Sequence, residues 1–271
     1  MNSISIRDTM NNSDTLSISI QSITTNKYLI VYTDNCELTI EKNNEVMFFP
    51  KDSIVFIERG IRFSCKIKKQ NQENAPFRVI RLDREELVML KNVFKSTYSY
   101  RFDDSNEKRK PQNKIIGVKE SKSYIQEFKR IASVKDSPLK ILNLAYIVSR
   151  MKMVHKIMMS LVVSAATTFT DKVKCIIESN TSKRWRLNMI ADEFNISEIS
   201  VRKRLESEGA SFNNLLLEIR MNKAMQLLLE NEKQIHQISK EVGIFSPSYF
   251  IRNFKTYFGI TPKQFVIYFR C

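Results

Sequence analysis

In the final third of the chain one pattern of residues occurs twice, about 48 positions apart, and few folds satisfy it. Ile190, Ala191, Phe194, Asn195 and Ile196 are answered by Ile238, Ser239, Val242, Gly243 and Ile244. One residue is then gained, after which Val201, Lys203 and Leu205 are answered by Phe250, Arg252 and Phe254. Each copy predicts a short helix, a tight turn and a second helix. The small residue (Ala191, Ser239) lets the two helices cross closely, and the turn residue (Asn195, Gly243) is of a type that tolerates a left-handed backbone. The apolar positions hold the second helix and leave its opposite face free. This is the sequence form of a helix-turn-helix, whose second helix enters the major groove of DNA. Two copies predict a DNA-binding protein.

Between the copies, Phe212 to Glu230 carries a broad apolar face through Phe212, Leu215, Leu216, Ile219, Ala224, Leu227 and Leu228. A helix of that length is roughly 28 Å long. Successive major-groove faces on one side of B-DNA lie about 34 Å apart. The helix therefore suits a strut that lets one molecule read two adjacent grooves. In the first unit Ile199, Arg202 and Lys203 fall opposite Val201 and Leu205, and are the candidates for base contact. Arginine suits guanine through its planar fork, and isoleucine packs on a thymine methyl. Arg204 and Ser197 lie nearer the edge and suit phosphate. In the second unit the corresponding face holds Pro247, Ser248 and Arg252, with the proline in the first helical turn, where its missing N–H costs nothing. Tyr249, Phe250, Phe254 and Tyr257 read as a core stripe, and Trp185 as a packing residue.

A chain of 271 residues with 42% apolar content is long enough for two domains. Its net charge of +15 favours a polyanionic partner, nucleic acid before membrane. The excess is not confined to the C-terminal third, so charge gives the class of partner without locating the site. Cys36, Cys65, Cys175 and Cys271 are scattered, and His155 and His236 stand apart from them. Neither a disulfide framework nor a metal site is expected, and reduced thiols fit a cytoplasmic protein. Five glycines leave little room for a phosphate loop or a nucleophile elbow. No catalytic residue and no cofactor is expected. A metal-dependent barrel enzyme and a repair methyltransferase are both disfavoured. The remaining alternative is a nucleoid-type protein that binds DNA without reading sequence and has no effector. No secretory signal or membrane-spanning run is present in the sequence.

Residues 1–22 are polar and are expected to be a flexible N-terminus. From Lys27 to Leu82 short β-type runs alternate with turn formers: Tyr28 to Tyr32, Glu37 to Glu41, Val46 to Phe49, Ile54 to Ile57, Phe63 to Ile67 and Phe77 to Leu82. Their even spacing predicts a small antiparallel barrel or jelly roll. Arg81 follows Val79 on one strand face, so a basic side chain there, with Lys27, is a candidate anchor for a small anionic effector. Helical periodicity begins near Asp83 and continues through Leu87 to Phe94, Tyr124 to Ile131 and Leu139 to Val148. The apolar run from Ile157 to Ala166 reads as a buried helix. Leu139 to Val148 is the candidate for subunit pairing in a homodimer. Thr170 is expected to cap the first helix of the C-terminal part, which should hold about seven helices. The reading is thus α+β, with residues 23–165 a sensor and dimerisation domain and 166–271 an all-α DNA-binding domain.

The segment G-I-F-S-P-S-Y-F-I-R-N-F-K-T-Y-F-G-I-T-P-K-Q-F, Gly243 to Phe265, resembles the signature of the AraC/XylS family of bacterial transcription regulators. Arg220, Ala224, Leu227 and Leu228 resemble its connecting helix. The resemblance spans about Thr170 to Arg270. It implies promoter binding by two recognition helices, contacts to RNA polymerase, and base-reading positions at Ile199, Arg202 and Lys203, then Pro247, Ser248 and Arg252. R-K-R-L-E-S-E at Arg202 to Glu208, N-K-Y-L-I-V-Y-T-D-N-C at Asn26 to Cys36 and F-I-E-R-G at Phe56 to Gly60 are similar to the enteric virulence branch, the Rns, VirF and ToxT type. That similarity implies a cupin-like N-terminal barrel, dimerisation through N-terminal helices, control of virulence genes, and in some members a response to fatty acid or bicarbonate.

Overall fold

The computed structural model describes residues 16–98, 111–119, 122–134, 136–230 and 232–269. The N-terminal part is built on two four-stranded antiparallel sheets. One has the order β1 (Ser17–Thr24), β6 (Arg62–Lys69), β3 (Cys36–Lys42), β4 (Glu45–Phe49). The other has the order β7 (Arg78–Leu82), β2 (Tyr28–Tyr32), β5 (Ser53–Ile57), β8 (Ile115–Lys119). In the first sheet β6 shows the period-2 pattern of a half-buried strand: Phe63, Cys65 and Ile67 point in, while Arg62, Lys66 and Lys68 point out. In the second, every residue of β5 is buried. Val55 and Ile57 pack with the first sheet, and Ile54 and Phe56 pack with helices on the opposite side. A sheet covered on both faces reads as a continuous apolar run.

Those helices are α1 (Arg84–Thr97), α2 (Lys122–Ser133), α3 (Ser137–Arg150) and α4 (Val154–Ala165). A reciprocal capping box starts α1: the Glu86 amide donates to Asp83, and the Asp83 amide donates to Glu86, each at 3.0 Å. The buried Glu86 carboxylate also accepts from Lys140 of α3 at 2.7 Å, so one charge serves both a cap and a helix–helix contact.

The C-terminal part comprises α5 (Phe169–Ser179), α6 (Leu187–Phe194), α7 (Glu198–Ser207), α8 (Phe212–Glu230), α9 (Ile235–Glu241), α10 (Pro247–Phe258) and α11 (Pro262–Phe269). The strut α8 belongs to two cores. Its first half sends Leu215 and Ile219 into a core with Val173, Ile177, Ile190 and Leu205. Its second half sends Met221, Ala224, Leu227 and Leu228 among Ile238, Phe250, Phe254 and Phe258. This second core does not close on itself. It runs on without a break into the interior of the β-sheets.

The joint between the two parts is specific. The Tyr268 hydroxyl donates to the carbonyls of Ile67 and Leu16 at 3.0 and 3.2 Å, and Phe77 meets Phe269 edge-on. Asn222 of α8 donates to the Thr24 carbonyl at 3.3 Å. Arg59 pairs with Asp171 at 2.8 Å.

Two sequence expectations are corrected here, and one strand is added. Residues 17–22 are not a flexible tail. They lie in β1, where Ile18 and Ile20 are buried because Ser-Ile alternation is itself strand periodicity. Residues 1–15 lie outside the described residues. Ile115–Lys119, to which the sequence reading assigned no element, forms β8. The cap of α5 is Thr168, which forms a capping box with Asp171, and not Thr170.

Candidate DNA interface

The sequence repeat is a repeat of geometry. Asn195 ends α6 in the left-handed conformation at φ 50°, and Gly243, just after the Val242 cap of α9, is left-handed at φ 72°. In the first copy the Ile196 amide donates to the Ala191 carbonyl at 3.1 Å; in the second the Ile244 amide donates to the Ser239 carbonyl at 2.9 Å. Both bonds span five residues, the closure of a helix that ends in a left-handed residue. Ala191 and Ser239 are buried at the helix crossings, and the Ser239 hydroxyl donates to the Ile244 carbonyl, so its polar atom is satisfied. Each second helix is then started by a serine cap: Ser197 accepts from the Ser200 amide and Ser246 from the Tyr249 amide. Val201 and Leu205 in one copy, and Phe250 and Phe254 in the other, face the core.

At the turn residue the copies differ, and the structure supplies the reason. Asn195 is exposed, so a side chain fits there. At Gly243 an added Cβ would sit 2.8 and 3.0 Å from the carbonyl oxygens of Thr181 and Ser182 and 2.7 Å from the Arg220 guanidinium. The loop between α5 and α6 lies against the turn of the second unit. It is held there by the Thr181 hydroxyl donating to the Glu241 carbonyl at 3.1 Å and by Arg220 donating to the Lys183 carbonyl at 3.0 Å. The two units are therefore joined by a latch as well as by the strut.

The faces turned away from both cores carry the residues singled out from the sequence. Ile199 is 67% exposed. Arg202, Lys203 and Arg204 are exposed beside it. The Arg204 guanidinium lies over the Phe169 ring at 5.4 Å, which sets it to the edge of the face. On the second unit Pro247, Ser248 and Arg252 are exposed together. Tyr249 was expected in the core but is 49% exposed, with the Arg252 guanidinium 5.2 Å from its ring centroid. Position 249 lies one residue before the buried Phe250, about 100° around the helix, and so falls outside the apolar stripe. Trp185 is buried, its indole N–H donating to the Asn180 carbonyl at 2.8 Å.

Sequence reasoning missed Glu208. It follows α7 and accepts from the Phe169 and Thr170 amides at 2.8 and 2.7 Å. Desolvation works to raise its carboxyl, but the Thr170 and Phe169 hydrogen bonds outweigh it and hold the group below its ordinary range. The two effector candidates are both exposed. Val79 packs on the interior between the sheets, but Arg81, farther along the same strand face, emerges into solvent, and its carbonyl accepts from Lys140 at 3.1 Å. The inward turn expected of that face therefore holds for Val79 and not for Arg81. Lys27 is exposed just before β2. Among the described residues no group of histidine, cysteine and carboxylate side chains could hold a metal, and no helix is long and apolar enough to cross a membrane.

An α+β architecture carrying two helix-turn-helix units on one strut is that of a DNA-binding transcription regulator. A helix-turn-helix domain family matches residues 190–266. The chain is 42% identical to the transcriptional activator CfaD of Escherichia coli, with 93% of this chain and 95% of that protein covered. It is 40% identical to the virulence regulon transcriptional activator VirF of Shigella flexneri, with 89% and 92% covered. The structure of ToxT from Vibrio cholerae shares the fold at a TM-score of 0.70 with 17% identity, covering 94% of this chain and 95% of that one. The chain belongs to the AraC/XylS family of transcription regulators.

Proposed function

We propose that this protein activates virulence genes in the bacterial cytoplasm by inserting α7 and α10 into adjacent major grooves of promoter DNA. The observation that carries this reading is the duplicated turn geometry, which presents Ile199, Arg202 and Lys203 on one unit and Pro247, Ser248 and Arg252 on the other. In this reading Arg202 and Arg252 read guanine edges and Arg204 binds phosphate. Residues 23–165 form a sensor and dimerisation domain, 166–271 the DNA-binding domain, and RNA polymerase is the partner recruited. The test uses a duplex selected by the protein from a random pool, with a random duplex as competitor. Arg202→Ala and Arg252→Ala should each weaken binding to the selected duplex by about 1–3 kcal/mol and relax base preference at one position. Equal loss on both duplexes would assign these residues to the backbone, and wild-type protein that does not discriminate between the duplexes would favour the nucleoid-type alternative.

A homodimer through α3 is supported by its exposed stripe: Leu139, Leu142 and Tyr146 are each more than half exposed on one helix face, while Ile141, Leu144 and Ile147 are buried. A second reading adds a small anionic effector, fatty acid or bicarbonate, at Lys27 and Arg81. Support comes from ToxT, whose structure with an unsaturated fatty acid shares 17% identity with this chain. A rise in Tm with oleate or bicarbonate that disappears in Lys27→Ala or Arg81→Ala is expected, and no rise in the wild type would remove the effector.

A further inference from the structure

We propose that the loop between α5 and α6, Lys183 to Arg186, is a third DNA-binding element that grips the phosphates lying between the two major grooves. The proposal rests on the reading that α7 and α10 enter those grooves. Within this loop Lys183, Arg184 and Arg186 are exposed while Trp185 is buried, so three cations project outward around one aromatic anchor. No acidic residue occurs from Asn180 to Asn188.

The loop lies beside both recognition helices. On one side, Trp185 and Arg186 share a cleft of about 560 Å³ with Arg202 of α7. On the other, the Arg184 guanidinium lies 5.6 Å from the ring centroid of Phe245, the exposed residue that immediately precedes the cap of α10. A duplex that seats both helices must pass its backbone between them, and this loop is the element that flanks each.

The loop is also held in place before DNA arrives. Its backbone is fixed by the Lys183 carbonyl accepting from Arg220, by the Trp185 indole on the Asn180 carbonyl, and by the close approach of Thr181 and Ser182 to Gly243. The ammonium of the exposed Lys183 rests over the Trp185 ring at 4.2 Å, which orders the side chain. Pre-ordered cations lose little entropy when they meet phosphate, so their attraction appears as affinity and not as sequence preference.

The experiment measures binding of full-length protein to the selected duplex and to a random duplex across a salt series. The test variant is Lys183→Gln/Arg184→Gln/Arg186→Gln. A charge-matched control, Lys51→Gln/Lys66→Gln/Lys68→Gln, removes three exposed cations from the N-terminal part. The loop variant should lose roughly 10- to 100-fold on both duplexes near 0.1 M salt, with the salt slope falling by about 0.9 for each phosphate contact removed, up to roughly 3. The control should leave the slope unchanged. An unchanged slope in the loop variant, a loss confined to the selected duplex, or an equal change in the control overturns the proposal. Hydroxyl-radical footprinting of the wild type guards against a variant that fails to fold. Backbone protection between two protected major grooves is expected, and two protected grooves with the intervening backbone open to cleavage overturn the loop's role. Absence of the two protected grooves would instead sink the reading of α7 and α10.

Discussion

At the scale of single residues, the two turns show how one backbone conformation is met by different side chains according to what lies outside it. Asn195 and Gly243 both have positive φ, which costs a residue with an ordinary Cβ roughly 1–2 kcal/mol. Only Gly243 also faces backbone carbonyls within 3.0 Å. Gly243→Ala should therefore destabilise the protein by about 2–4 kcal/mol, combining the conformational penalty with displacement of the loop. Asn195→Ala should cost only about 1 kcal/mol. Urea unfolding of the two variants separates these outcomes, and equal losses would mean that the latch yields freely. The sequence showed that both turns need a permissive residue. It could not show why one of them must be glycine, because the colliding atoms belong to a loop some sixty residues away.

At the scale of elements, periodicity located most strands and helices, since an apolar face repeats every two or about 3.6 residues whatever it packs against. The misses are those in which that signal was diluted. β1 alternates serine with isoleucine and resembles a polar tail, and β8 is five residues long beyond a polar stretch. Glu208 shows a link between elements that no period reports: a carboxylate after α7 completes the N-terminus of α5. Its carboxyl is held below the ordinary range, so its contribution is fully present above the unfolded pKa near 4.3 and is lost as pH falls through the lower folded value. Glu208→Gln should lower Tm by about 2–4 °C at neutral pH. The gap from wild type should close in acid, and a pH-independent gap would assign the effect to packing. On α3, Leu142→Glu touches the exposed stripe alone, whereas charge at Ile147 would enter the core. The leucine variant should shift sedimentation toward monomer with its Tm retained, and an unchanged monomer–dimer balance rejects α3 as the pairing face.

At the scale of the whole molecule, the first helix-turn-helix unit closes its own core, while the second shares its core with the sheets. Tyr257 lies under the Arg62 guanidinium, Tyr268 under the Lys69 ammonium, and Phe269 against Phe77. Tyr257 and Tyr268 are buried and Phe77 and Phe269 half-buried by these contacts, and an isolated DNA-binding part forgoes that stabilisation. Hydrogen exchange on residues 166–271 alone should show α5 to α7 protected and α9 to α11 opened relative to the full chain. Equal protection of both units would show that the second core closes without the sheets.

Local order was enough to establish the two helix-turn-helix units, the strut and the run of strands, because each follows from apolar spacing and turn chemistry within some fifteen residues. Partnership belonged to the three-dimensional packing. An apolar stripe states that a face is buried and is silent about which surface buries it. Only the folded chain joins the second unit to the sheets, sets the loop from Lys183 to Arg186 between the recognition helices, and leaves Tyr249 outside the core.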